Sequence, residues 1–184
     1  MKKRKLSFAE RMLLFGEEKL LSNIVPTERP GRFFQWIFKI PILFFRLGCP
    51  LFGDYILLLE TVGRKSGKMR STPVEYRSEK ATGTFVVVAG WGGRTDWRRN
   101  IDADPHVRVQ IKRKTFEAIA EPLSASETAD WLEEVLRENP GSLKYLSRWA
   151  GDTLNAGHYD SLKSAAKYFP SYRLIPIHPR QADR

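Results

Sequence analysis

At 184 residues the chain is long enough for one domain with a good core and an appendage, and its charged content of 28% and hydrophobic content of 42% are those of an ordinary soluble globule. The net charge of +10 favours anionic partners: a polyanionic cofactor, an anionic membrane surface or nucleic acid, three classes that composition alone does not separate. Cys49 is the only cysteine, which excludes an intramolecular disulfide and fits a reducing compartment.

From the N-terminus, the basic start Met1 to Lys5 leads into Leu6 to Leu21, which Glu10, Arg11, Glu17, Glu18 and Lys19 interrupt; no cleavable signal peptide is expected, and the expected location is cytoplasmic. Ser7-Phe8-Ala9-Glu10 forms a capping-box pattern ahead of an amphipathic helix, and Asn23 to Gly31, with Pro26 and Pro30, reads as a linker. Arg32 to Phe52 is rich in Phe, Trp, Ile and Leu, but Lys39, Pro41 and Arg46 argue against a membrane-spanning helix. Two readings stand: a helix closing one end of the domain that follows, or an interfacial helix that Lys2 to Lys5 would help to hold at the anionic inner face of the cell membrane. The expected division is 1–52 as an N-terminal helical, basic and aromatic extension, and 53–184 as the main domain.

Tyr55 to Leu59 reads as a strand buried on both faces, and Thr72 to Tyr76 alternates like a second. The turn between them, Gly63-Arg64-Lys65-Ser66-Gly67-Lys68-Met69-Arg70, carries four cations between positions 64 and 70 and is bracketed by glycines. Such a turn is either a solvated loop or an anion cradle, in which backbone N–H groups, Arg and Lys meet phosphate or carboxylate oxygens. Thr84 to Ala89 is a third strand that ends in Gly90-Trp91-Gly92-Gly93, where sparse side-chain cover could line a slot for a flat ligand. A short helix capped by Thr95 or Asp96 ends at Pro105, and strands follow at His106 to Ile111 and Thr115 to Ala120. Ser124 to Glu127 repeats the capping-box pattern before a helix with Ala129, Leu132, Val135 and Leu136 on its apolar face. Shorter helices are predicted over Leu143 to Trp149 and His158 to Tyr168, with a closing strand from Tyr172 to Ile177. His106, His158 and His178 lack metal-ligand spacing, so no metal site is expected, and neither a G-x-S-x-G nor a Walker A pattern is present.

Three ordered blocks, LLLETVGRKSGKMRSTPV, VVVAGWGG and DWRRNIDADPHVRVQ, resemble the deazaflavin (coenzyme F-420)-dependent nitroreductase and quinone reductase family, whose members look like LLLLTTTGRKSGKPRxTPL, VVVAS(K/F)GG and DWYxNLxANPxVxVQ. The likeness runs from about Leu57 to Pro122, with a weaker echo at Arg173 to Ile177. It implies an α+β fold, a split β-barrel like that of the FMN-binding pyridoxamine-phosphate-oxidase group, with flanking helices. It implies an oxidoreductase that moves hydride from reduced deazaflavin to a quinone, nitro or other activated hydrophobic acceptor.

By the same resemblance, Arg64, Lys65, Ser66, Lys68 and Arg70 would hold the phosphate and glutamate tail, and Thr72 and Pro73 would lie close to the cofactor. Val88, Ala89, Gly90 and Trp91 would lie against the ring, and Trp97 and Asn100 would either touch ligand or brace their helix. Gly90 stands where a Ser is frequent in the family and Trp91 where a Lys is frequent, which counts against nitroimidazole reduction and lets Trp91 stack on a flat acceptor. The family places C-terminal tyrosines over the substrate, so Tyr145, Tyr159, Tyr168 and Tyr172 are candidate proton donors, with Tyr145 and Tyr172 put forward as catalytic. Alternatives are an FMN- or haem-binding split barrel, a deazaflavin-binding protein without catalysis, and, with less support, a basic nucleic-acid-binding module. Nucleic acid is not an expected partner, and the oligomeric state stays open.

Overall fold

A computed structural model describes residues 56–177 apart from 152, 153 and 156, together with Ile42 and Phe45. The first helix, the linker, Cys49 and nearly all of the 1–52 extension therefore lie outside the described residues, as does the assignment of Arg32 to Phe52 to barrel or membrane. Phe45 is one fixed point within that stretch: it is helical, 3% exposed, and its carbonyl accepts a hydrogen bond of 3.1 Å from Gln110 Nε2.

Six antiparallel strands form the body: β1 (Ile56–Val62), β2 (Met69–Glu79), β3 (Thr84–Val88), β4 (His106–Ile111), β5 (Lys114–Pro122) and β6 (Ser171–Pro176). They close into a barrel in the order β1-β2-β3-β6-β5-β4. Closure leaves β1 flanked on both sides, by β2 and β4, which is why its run Leu57-Leu58-Leu59 is apolar without alternation and wholly buried. By contrast β4 alternates, with Val107 and Val109 buried while His106 and Arg108 face water. Leu57, Leu59, Val87, Val109, Ala118 and Leu174 fill the interior, each large aliphatic side chain contributing about 2 kcal/mol on burial.

Helices α1 (Asp96–Ala103), α2 (Ala125–Glu138), α3 (Ser142–Ala150) and α4 (Tyr159–Ala165) complete the described fold. The α2 start carries the expected capping box: Ser124 Oγ accepts from the Glu127 N–H at 3.2 Å, and Glu127 Oε2 accepts from the Ser124 N–H at 2.8 Å. Its face Ala129, Leu132, Val135 and Leu136 joins Leu162 and Phe169 in a second core outside the barrel. Ion pairs fasten this layer. Arg173 on β6 donates to Glu79 at 2.9 Å and to Glu127 at 2.9 Å, and Arg77 on β2 donates to Glu138 at 2.8 Å.

Element bounds differ from the sequence reading in two informative places. The strand expected to end at Tyr76 continues to Glu79, since Tyr76 to Glu79 pair with Val87 to Thr84 and gain a ladder that local alternation did not signal. The helix expected over His158 to Tyr168 changes at Ala165 into a 3-10 turn, Ala166–Tyr168, which turns the chain through Phe169 and Pro170 into β6.

Candidate functional site

The β1–β2 turn is a compact ring. Gly63 N–H donates to the Lys68 carbonyl at 2.9 Å, and the Ser66 and Gly67 N–H groups return to the Gly63 carbonyl at 2.9 and 2.8 Å. Glycine is required twice, by different physics. A Cβ at Gly63 would stand 3.0 Å from the Lys68 carbonyl oxygen, and Gly67 has φ +63°. The loop therefore holds its shape while Arg64, Lys65, Ser66, Lys68 and Arg70 all remain solvent-facing.

The cations of this turn are not equivalent. Arg64 is committed to α1: its Nη2 donates to Asp96 Oδ1 at 3.2 Å and its Nη1 to Asn100 Oδ1 at 3.1 Å. Asn100 Oδ1 also accepts from the Arg64 backbone N–H at 3.2 Å, while Asn100 Nδ2 donates to the buried Thr61 hydroxyl at 3.0 Å. Asn100 is thus a buried node tying turn, strand and helix together. Arg70 Nη2 donates to Ser66 Oγ at 3.4 Å. Lys65 and Lys68 have no side-chain partner among the described residues, so their charges are available to a ligand.

Strand β2 leads away from this turn. Of the eleven residues of β2, Tyr76 to Glu79 alone pair with β3, so Met69 to Glu75 are bonded on the β1 side while their other edge is open among the described strands. Pairing with β3 stops at Tyr76 and Val87, and Pro73, Thr72 and Arg70 lie farther along β2 toward the turn. At about 3.3 Å per residue, Pro73 and Met69 are about 13 Å apart, the span of an extended ligand. At the β3 end, the Ala89 N–H is taken by the Pro170 carbonyl at 2.8 Å, whereas the Gly90 N–H has no acceptor among the described residues. The 3-10 turn Trp91–Gly93 follows, and α3 packs against it, with the Trp149 ring beside Gly90.

Trp97 is buried in the barrel core, edge-on to Tyr172 with ring centroids 6.0 Å apart. Tyr172 faces the interior too, its hydroxyl donating to Asp102 Oδ1 at 2.5 Å and accepting from Arg98 Nε at 3.4 Å. Burial, then the bond to Asp102, pushes its pKa up to about 12. Beside it Ile101, Asp102, Pro105, Ala120 and Pro122 line a cavity of about 280 Å³. That cavity is on the opposite face of α1 from Asp96 and Asn100, and with Asp102 and Arg98 already paired (3.0 Å) it offers no free cation to a polyanion.

The remaining tyrosines are dispersed. Tyr159 donates to Asp130 Oδ1 at 2.8 Å and fastens α4 to α2; Tyr168 packs on the helical core with Lys167 Nζ 4.9 Å above its ring. Tyr145 is in α3, one turn before Trp149. Two residues near the candidate site were not singled out for it by sequence. Trp149 is one. Arg99 is the other: it is exposed, three residues along α1 from Asp96, and its side chain has no partner among the described residues. Counting three residues on from Asp96 would have found Arg99; nothing local marks Trp149.

Among the described residues no cluster of His, Cys, Asp and Glu could hold a metal ion, and no helix is long and apolar enough to cross a membrane. A six-stranded antiparallel barrel with flanking helices, its β2 without a second strand partner from Met69 to Glu75 among the described residues, is a split β-barrel. Within that class the pattern of the F420H(2)-dependent quinone reductase family matches residues 45–152, more than half of the chain, and the chain belongs to that family. It is an oxidoreductase whose cofactor is the deazaflavin coenzyme F-420. The matched segment begins within the stretch assigned by sequence to the extension. Among solved structures, an F420-H2 dependent reductase (FDR-A) is 27% identical over 65% of this chain and 92% of that chain, with a TM-score of 0.47. A solved structure described as a domain-swapped dimer is 22% identical over 76% of this chain and 97% of that chain, with a TM-score of 0.49. The haem storage protein HutZ from Vibrio cholerae is 17% identical over 77% and 92%, with a TM-score of 0.44. The assignment rests on the family match and not on these likenesses.

Proposed function

We propose that this reductase passes hydride to a quinone, with nitro compounds and other activated hydrophobic acceptors as lesser substrates, and that the groove along the open edge of β2 holds both cofactor and acceptor. The observation that carries the reading is the pairing of two kinds of unmet group at its two ends: the partnerless ammonium groups of Lys65 and Lys68 at one, and the Gly90 N–H without an acceptor at the other. The first suits a phosphate and a glutamate tail; the second suits a ring carbonyl oxygen. When bound, coenzyme F-420 supplies a hydride carrier, a two-electron donor that the protein itself lacks.

The chain's own residues then have distinct duties. Lys65 and Lys68 act as point charges on the tail, and Arg70 presents its guanidinium across Ser66. Arg64 works indirectly, because its bonds to Asp96 and Asn100 hold the turn against α1. Thr72 and Pro73 floor the middle of the groove, and the backbone of Val88, Ala89, Gly90 and Trp91 borders the ring end. Reduction of a quinone to a quinol needs a proton beside the hydride; water or Tyr145 on α3 supplies it in this reading, since the Tyr172 hydroxyl is already donated to Asp102.

Equilibrium binding of oxidised F-420 and of FMN to the purified chain, at low and moderate salt, tests the reading. Lys65→Ala/Lys68→Ala should weaken F-420 at least tenfold, by about 1 kcal/mol or more per charge, and flatten the salt dependence. FMN bound more tightly than F-420, or F-420 affinity indifferent to the double substitution, would refute it.

A further inference from the structure

The two ends of the barrel differ in chemistry. One carries the basic turn Gly63 to Arg70. The other is about 20 Å away along β1, at about 3.3 Å per residue, and brings together the start of β1 at Ile56, the β2–β3 loop with exposed Lys80, the β4–β5 loop and the end of β6. The β4–β5 loop is Lys112 and Arg113 alone, since Ile111 pairs with Lys114, and Lys112, Arg113 and Lys114 form an exposed cationic run. Lys112 has φ +55°, the one non-glycine in the left-handed region among the described residues. Such a position in a two-residue hairpin loop favours glycine or asparagine, so the needs of the turn do not account for a lysine.

Apolar groups stand beside these cations. Ile177, where β6 ends, is 43% exposed, and its N–H donates at 2.8 Å to the carbonyl of Glu117, three residues along β5 from Lys114. Gln110 Nε2 donates to the Lys112 carbonyl and to the Phe45 carbonyl, each at 3.1 Å, so Phe45 of the aromatic run Arg32 to Phe52 is fastened next to the loop. Of the carboxylates toward this end, Glu79 and Glu117 face Arg173 and Arg108 at 2.9 and 3.9 Å, and Glu75 is exposed on β2.

We propose that this end of the barrel is a docking surface for an anionic lipid bilayer, with Lys112, Arg113 and Lys114 on the headgroup phosphates and Ile177 at the acyl boundary. Charge complementarity selects an anionic partner, and the apolar neighbour selects lipid over nucleic acid. An exposed aliphatic side chain gains by entering a bilayer boundary, whereas a phosphate backbone offers it nothing. Attachment and cofactor binding then draw on separate cations at opposite ends of the barrel, so each can be removed without the other.

The test is flotation of the full chain with vesicles containing phosphatidylglycerol, against vesicles of phosphatidylcholine alone, at low and moderate salt. The chain should float with the anionic vesicles only, and salt should release it. Lys112→Gln/Arg113→Gln/Lys114→Gln should weaken that partition at least tenfold, at about fivefold for each cation near the surface, with F-420 affinity unchanged. Lys65→Gln/Lys68→Gln/Arg70→Gln removes the same charge at the far end and should weaken the partition by less than about threefold. Lys112→Gly, which suits the backbone, should keep the fold and still bind the vesicles several-fold more weakly. Equal flotation of wild type and the loop variant, equal loss in the two triple variants, or equal binding to neutral vesicles overturns the proposal. So does a chain that floats with neither vesicle and instead retains a short DNA duplex through the loop cations.

Discussion

Replacing Asn100 by Ala probes the knot beneath the basic turn. The side chain is 4% exposed and makes three hydrogen bonds: two accepted at Oδ1, from the Arg64 N–H and Nη1, and one donated from Nδ2 to Thr61 Oγ1. The two bonds between neutral groups are worth about 1 kcal/mol each, and the guanidinium bond, whose Arg64 side chain is 23% exposed, about 1 more after allowance for solvent. The loss is therefore about 3 kcal/mol, a large share of the roughly 5–15 kcal/mol that stabilises a domain. Truncation also strands the Thr61 hydroxyl, which is 1% exposed, so the cost tends upward. In urea denaturation, with a slope of about 2 kcal/mol/M, the midpoint should fall by about 1.5 M at unchanged slope. F-420 affinity should fall several-fold in parallel, because Arg64 no longer anchors Lys65 and Lys68. Asn100→Asp keeps the acceptor for Arg64 and loses the donor to Thr61, and should fall between. A loss below about 1 kcal/mol with F-420 affinity intact would show that the turn keeps its shape without α1 and would refute the reasoning.

Acid stability reports on Arg173. Glu127 is lowered to about 2, first by the Ser124 N–H, then by the Ser124 hydroxyl and Arg173, and Glu79 is lowered chiefly by Arg173. Both depressed carboxylates contribute stability above about pH 4.5 that is lost as pH falls, for Glu127 toward about 2, and in Arg173→Ala this acid limb should become shallower in pH-dependent melting. At the alkaline end, Tyr172, raised from 10 to about 12, contributes stability below pH 10 that is lost as pH rises toward 12; Tyr172→Phe should abolish that limb, cost about 1 kcal/mol at neutral pH, and leave turnover within about twofold. Gly93→Ala should cost more than Gly83→Ala, although both have positive φ (+73° and +71°): a Cβ at 93 would lie 2.7 Å from Pro170 Cγ, while nothing lies within 4 Å at 83. Thermal melts should put the second near 1 kcal/mol, about the backbone cost alone, and the first above 2.

Local chemistry was legible and pairing was not. The apolar run of β1, the alternation of β4, the Ser124–Glu127 box and the bracketing glycines of the basic turn each declare themselves within a few residues, because their causes, ladder burial, capping and loop closure, act over that range. The early end of β2–β3 pairing depends on where β3 stops, so the open edge of β2 could not be read from β2. The same holds for the Arg64 bonds to Asp96 and Asn100, across separations of 32 and 36 residues, which set it apart from its fellow cations. Asn100 as brace or ligand contact was an open choice in the sequence because an amide serves both; its burial beside Thr61 gives it the first of these duties. Gly90 is the sharpest case, its reason for being glycine residing in Trp149, far along the chain.

The opening along β2 also carries a risk. A strand edge with unmet N–H and C=O groups is a template for another chain, and the stretch Met69 to Glu75, without a second strand partner among the described residues, would invite intermolecular pairing and aggregation. The chain blunts it in two ways. Pro73 has no N–H, and since a proline within a sheet is tolerated with its nitrogen toward the unpaired side, it removes a donor from the middle of the exposed row. Lys68 and Arg70, at the end of that row, set like charges against a second copy of the same edge. The residues proposed above to meet a polyanion would thus also repel a self-identical strand, and a variant that swaps Pro73 for Val and neutralises Lys68 and Arg70 should shift from a single species toward concentration-dependent association in light scattering.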